Sequence, residues 1–184
     1  MELDLVLSQL ESKYPGRYDI LLQLLTLLTT TAPSCIHIHS PFSSRPAVSL
    51  VRSVLDATHT LHASIHGVEC LSQRLFFDRI LQLLSGWCVS WDEGCESFEG
   101  GMYSGDVDGF IEGLRVISRE KDPETKMVVV IERAERLKDN LPELMVPLTR
   151  MAELVRGTID ATYSPVLKSF QHLVWSTIHC CIYL

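Results

Sequence analysis

A run of apolar residues from Met127 to Ile131 ends directly on Glu132. It is short, rich in Val and Ile, and does not alternate, which suits a strand buried on both faces. That is the usual state of a parallel-sheet strand, and a parallel sheet obliges the chain to supply covering helices on both sides. The acid at its end adds a functional expectation, because ligands of open α/β sheets gather at the carboxyl ends of the strands. The following RAERLKDN reads as a polar turn. Beyond it Leu141, Met145, Leu148, Met151 and Val155 recur at helical intervals. Asn140 and Glu143 have capping-box spacing, Pro142 sits in the tolerant first turn, and Gly157 is a natural stop.

The remaining elements are those such a strand requires. Leu3, Val6, Leu7 and Leu10 share one side of a short helix over 1–11, ended by Tyr14, Pro15 and Gly16. A helix over 17–28 follows, with leucines dense enough to predict burial on more than one side. CIHIH over 35–39 is a first strand, SPFSSRP over 40–46 a turn-rich loop, and 47–57 a helix for which Pro46 is pre-organised. LHASIH over 61–66 is a second strand. Leu75, Phe76, Ile80 and Leu83 set the inner face of a helix over 71–84, and Val107, Phe110, Leu114 and Ile117 that of a helix over 106–120. Between them, 87–105 is irregular and carries Trp91, Asp92, Glu93, Glu96 and Glu99, a length and composition suited to a binding loop. This order predicts an α/β domain with a mainly parallel sheet covered on both faces.

Charge narrows the partners. With 16 basic and 23 acidic residues in 184, the formal net charge is -7. Stand-alone nucleic-acid binding is disfavoured, since phosphate contact needs clustered Lys and Arg. Protein partners or a small ligand are expected instead. The six cysteines, Cys35, Cys70, Cys88, Cys95, Cys180 and Cys181, form no CxxC pair and read as reduced intracellular thiols. Acids at positions 2 and 4 argue against a secretory leader, and no apolar run has the length of a membrane span.

Several motifs bear on chemistry. A strand, loop and helix over 35–57 is the setting of a phosphate-binding loop, which works by presenting successive backbone N–H groups and a helix N-terminus to phosphate oxygens. The usual GxxxxGK signature is absent, because HSPFSSRP has neither glycine nor lysine. Arg45 could supply the lysine's charge, whereas Pro46 removes an N–H and the hydroxyl that would hold magnesium. Glu132 stands where a nucleotide hydrolase keeps its magnesium-holding acid. Arg133, next to it, is unsuited to polarising an attacking water. His37, His39, His62 and His66 occupy two strands but lack an accompanying carboxylate motif, and a metal site is not expected. The C-terminal CIYL has the form of a prenylation box, without the polybasic stretch that usually accompanies one.

Three blocks, YPGRYDILLQLLTLL, HGVECLSQRLFFDRILQLL and VVVIERAERLKDNLPELMVPLTRMAEL, together resemble the N-terminal ATPase-like domain of origin recognition complex subunit 5, fungal type, over about residues 14–154. The resemblance implies a three-layer αβα domain of the ATPase-associated (AAA+) P-loop class over 1–157, incomplete at the C-terminus. It implies a divergent tail over 158–184, from truncation or mis-splicing, and a sheet short of a central strand. Carried over by position, Ser40, Pro41, Phe42, Ser43, Ser44, Arg45 and Pro46 stand at the Walker A loop and Glu132 at the Walker B acid. Arg17 and Tyr18 lie in the segment that approaches the adenine. The implied function is a non-catalytic assembly component in DNA replication initiation. Its nucleotide site is degenerate, with ATP and magnesium binding weakened. The implied partners are the other complex subunits, with origin DNA met mainly through the complex, in the nucleus and without a membrane. A retained ATP-binding protein and a prenylated adaptor are the alternatives.

Overall fold

The computed structural model describes residues 2–29, 35–39, 44–87, 97–121, 126–151 and 172–177. Strands β1 (Cys35–His39), β2 (Leu61–His66), β3 (Met127–Glu132) and β4 (His172–Thr177) form a sheet of order β1-β4-β3-β2, every pairing parallel. Helices α1 (Glu2–Lys13), α2 (Tyr18–Thr29) and α3 (Ser44–Ala57) cover one face. Helices α4 (Gln73–Ser85), α5 (Val107–Glu120), α6 (Ala134–Asn140) and α7 (Met145–Thr149) belong to the other. The result is the expected three-layer αβα domain.

β3 explains the layering. Met127, Val129 and Ile131 enter one apolar core with Phe76, Phe77, Ile80, Phe110 and Leu114. Val128 and Val130 enter the opposite core with Leu21, Leu25, Val51 and Val54. Side chains alternate across a strand, so a strand apolar at both parities has to be sandwiched. β2 lies at the sheet edge and differs: Ala63 and Ile65 are buried in the first core, while His62, Ser64 and His66 point the other way and are half-buried.

Local signals fix the helix ends. The Ser72 hydroxyl accepts the Leu75 N–H at 3.3 Å, and Gly86 closes α4 in the left-handed conformation at φ 75°. Asp106 Oδ1 accepts the Gly109 N–H at 2.7 Å to start α5. α4 and α5 approach closely: the Phe77 and Phe110 rings stack at 4.3 Å, and a Cβ on Gly113 would lie 3.0 Å from the Leu81 methyls.

The structure departs from the sequence reading in several places. RAERLKDN is not a turn: after Arg133 it forms α6. The helix expected from Leu141 to Val155 is broken into a 3-10 turn over Pro142–Leu144 and the short α7. Pro142 pushes Leu141 out of the helical region, to φ -137° and ψ 62°, and so ends α6. Asn140 is therefore the last residue of α6 rather than a cap, and no side-chain hydrogen bond caps the 3-10 turn. On α4 the inner face is rotated: Leu75 is 56% exposed, and Phe77, Leu81 and Leu84 are buried instead. α2 buries Leu21, Leu24, Leu25 and Leu28 but leaves Leu22 exposed, so it is covered less fully than its leucine content suggested.

The largest departure is in the sheet. The resemblance implied a sheet short of a central strand, with 158–184 as a divergent tail. His172–Thr177 instead lies between β1 and β3, with Leu173 in register with Cys35 and Val129. Residues 152–171, including Gly157 and Val155, and 178–184, with the CIYL ending, lie outside the described residues. So do Cys88, Trp91, Asp92, Glu93, Cys95 and Glu96 of the irregular segment. Its described part folds as a 3-10 turn over Phe98–Gly101 with Phe98 buried in the first core.

Candidate functional site

α3 begins at Ser44, so Ser44, Arg45 and Pro46 form its first turn rather than the end of a loop. Proline is accommodated there because its missing N–H has no intrahelical partner to lose. Ser40, Pro41, Phe42 and Ser43 lie outside the described residues. The apolar side of α3, with Leu50, Val51, Val54 and Leu55, packs on the sheet. Arg45, Ser49, Arg52, Ser53 and Asp56 recur at helical spacing along its flank, and this stripe forms one wall of an open cleft of about 490 Å³. The other walls come from Ser64 and His66 of β2, Glu69 of the turn beyond it, and Glu132 at the tip of β3.

The cleft exists because register aligns the polar parity of β2 with the end of β3: Ser64 lies opposite Val130, and His66 opposite Glu132. At its floor, Arg52 holds Glu132 in a bond from Nη2 to Oε1 of 2.5 Å. The Arg52 Nη2 and Nε also donate to the Ser64 hydroxyl at 2.7 and 3.0 Å. Ser64 in turn donates to the same Glu132 oxygen at 3.3 Å. The Glu132 side chain is 15% exposed, that of Arg52 47%. An ionised carboxylate in that position is thus matched by a guanidinium, the arrangement that buried charge demands.

The turns around Glu132 are tightly fitted. Arg133 adopts the left-handed conformation at φ 53°, which turns the chain from strand into α6. The Gly67 N–H donates to the Glu132 carbonyl at 2.7 Å. A Cβ at Gly67 would lie 2.5 Å from the Arg133 carbonyl oxygen, so glycine is required by close approach.

The corner between α1 and α2 abuts the cleft's outer wall. The Tyr14 hydroxyl hydrogen-bonds Ser49 and Ser53, each at 2.9 Å, and Lys13 Nζ donates to Ser53 at 2.8 Å. Burial acts to raise the Tyr14 hydroxyl, but the bonds from Ser49 and Ser53 and the Lys13 charge outweigh it and set it below its ordinary value. Arg17 and Tyr18 follow this corner, both exposed, and do not line the cleft. Of the residues expected at a nucleotide site, the structure brings Arg45 and Glu132 into one cleft. Arg52, Ser64 and His66 were not singled out by sequence. The alternation of LHASIH and the polar stripe on α3 were the available signals.

The histidines do not converge. Two strands, β4 and β3, separate His37 and His39 on β1 from His62 and His66 on β2, about 14 Å at the usual strand spacing. Among the described residues no group of three His, Cys, Asp or Glu is arranged to hold a metal. A magnesium nucleotide, which this class of fold implies, is also a poor fit at Glu132. One carboxylate oxygen, Oε1, is engaged by Arg52 and Ser64, and a second cation would be repelled by the guanidinium. Of the two cysteines among the described residues, burial pushes both Cys35 and Cys70 up to about 11, helped at Cys70 by Glu69. The Cys70 thiol donates to the His66 carbonyl at 3.6 Å.

The chain is thus a parallel αβα sheet with its cleft at the carboxyl ends of β2 and β3. The fold is similar to a chain in the structure of Drosophila ORC bound to DNA, with a TM-score of 0.66 and 18% sequence identity. The likeness covers 95% of this chain and 40% of that one, so this chain spans well under half the length of its structural neighbour. No protein-family model matches the sequence. No curated protein matches it either. Among the described residues, no helix is long and apolar enough to cross a membrane.

Proposed function

We propose that the chain is a subunit of an origin recognition complex, corresponding to subunit 5 of the fungal type. It serves DNA replication initiation in the nucleus as an assembly component without catalysis of its own. The observation that carries this reading is a fold likeness to an ORC chain that extends over 95% of this chain. The three sequence blocks quoted above agree with it. The non-catalytic part draws support from the site: Glu132 is committed to Arg52, and Arg133 follows it directly. With a net charge of -7, contact with origin DNA runs mainly through the other subunits.

The test is co-purification. Tagged protein, shown folded by circular dichroism, is expected to recover other origin complex subunits at physiological salt. Recovery of none of them overturns the proposal. Retained ATP binding is the second reading, favoured by the exposed Arg45 in the first turn of α3 at the cleft. Calorimetric ATP binding that weakens in Arg45→Ala would establish it.

A further inference from the structure

The geometry points to Arg52 as the resident cation of the Glu132 site, standing where a nucleotide hydrolase of this fold places a divalent metal. The inference deepens the non-catalytic reading of the site and does not depend on which complex the chain joins.

Three observations converge. The guanidinium spans the floor of the cleft, binding the strand-tip carboxylate with Nη2 while Nη2 and Nε both reach the Ser64 hydroxyl. Ser64 closes the triangle by donating to the same carboxylate oxygen. Each partner comes from a different element, α3, β2 and β3, so the cluster fastens the helix to the sheet edge at the place where an ion would otherwise do so. The carboxylate is mostly shielded from water, which makes its first counter-charge the decisive one. A planar guanidinium carries its charge at all accessible pH and offers donors in fixed directions, so it serves as a permanent substitute for a metal. The remaining acids of the cleft, Asp56 and Glu69, assemble no metal-holding group with Glu132 among the described residues.

Two measurements on the full chain decide the matter. The first is manganese binding by electron paramagnetic resonance at 1 mM Mn²⁺, comparing wild type with Glu132→Gln. Wild type is expected to take up no more ion than the variant. Stoichiometric uptake that disappears in Glu132→Gln overturns the inference. The second is a denaturation cycle over Arg52→Gln, Glu132→Gln and the double variant, each checked for fold by circular dichroism. The pair is expected to be coupled by at least threefold in the unfolding equilibrium constant, with Arg52→Lys retaining part of that coupling. A coupling factor of one shows that Arg52 is not Glu132's counter-ion and overturns the inference. Failure to co-purify with origin complex subunits would leave both readouts unaffected, so the two proposals fail separately.

Discussion

Gly67→Ala tests the close fit between the β2 turn and the tip of β3. An added Cβ would meet the Arg133 carbonyl oxygen at 2.5 Å, and the Glu132 carbonyl oxygen and Leu137 nitrogen at 3.2 Å. All three are backbone atoms, so no side chain can swing aside. Ordinary contact needs the turn to retreat by about 0.9 Å. That retreat can stretch the 2.7 Å bond from Gly67 N–H to the Glu132 carbonyl to as much as roughly 3.6 Å, past hydrogen-bonding range. The lost bond costs about 1 kcal/mol. Overpacking adds roughly 1–3 kcal/mol. Reduced entropy of the unfolded chain returns about 0.4–1 kcal/mol. A net destabilisation of about 1–3.5 kcal/mol is expected, centred near 2. Urea unfolding followed by circular dichroism reads it as a midpoint lowered by about 1 M, for a slope of about 2 kcal/mol per molar. Gly105→Ala is the control, since nothing lies within 4 Å of a Cβ there. Equal stabilities for the two variants would refute the reasoning.

Three further outcomes are expected. Phe110→Ala removes a ring stacked on Phe77 in the core and should cost about 3–5 kcal/mol in urea unfolding. Asp106→Ala deletes the cap of α5 and should cost about 1 kcal/mol, with Asp106→Asn restoring most of it. Cys35 and Cys70, both held near 11 by burial, should alkylate at pH 8 at least tenfold more slowly in the folded protein than in denaturant, by peptide mass spectrometry. The same shift carries a sign. Thiol pKa values raised on folding give stability that is complete below about pH 9 and is lost as pH rises through about 11.

Much of the fold was legible in residue order because β3 is apolar at both parities, and such a strand admits few architectures. Helix existence followed from periodicity, but periodicity alone misjudged faces and ends. On α4, Leu75 and Phe76 are adjacent, and either could have led the inner stripe; packing of Phe77 on Phe110 selected the rotation that exposes Leu75. On the segment after β3, the apolar spacing from Leu141 onward was real, yet Pro142 and Pro147 stand within it and limit regular helix to short pieces. The site was half visible. Glu132 is marked by its place at a strand end, whereas Arg52 gains meaning from a contact across 80 positions of sequence that no local pattern records. β4 was the hardest to foresee, because a strand's place in a sheet order is set by long-range pairing rather than by its own residues.

That order has a consequence for how the chain reaches its native state. β1 and β3 never touch directly; β4, the last described element, is wedged between them. During synthesis the N-terminal residues emerge first, so β1 with α1 to α3, and the β2–β3 pair with α4 and α5, are made before the joining strand. Each carries an open parallel edge until then, the kind of edge that recruits stray strands. Closure pairs Cys35 with Leu173 across most of the sequence, a late, slow step in entropic terms.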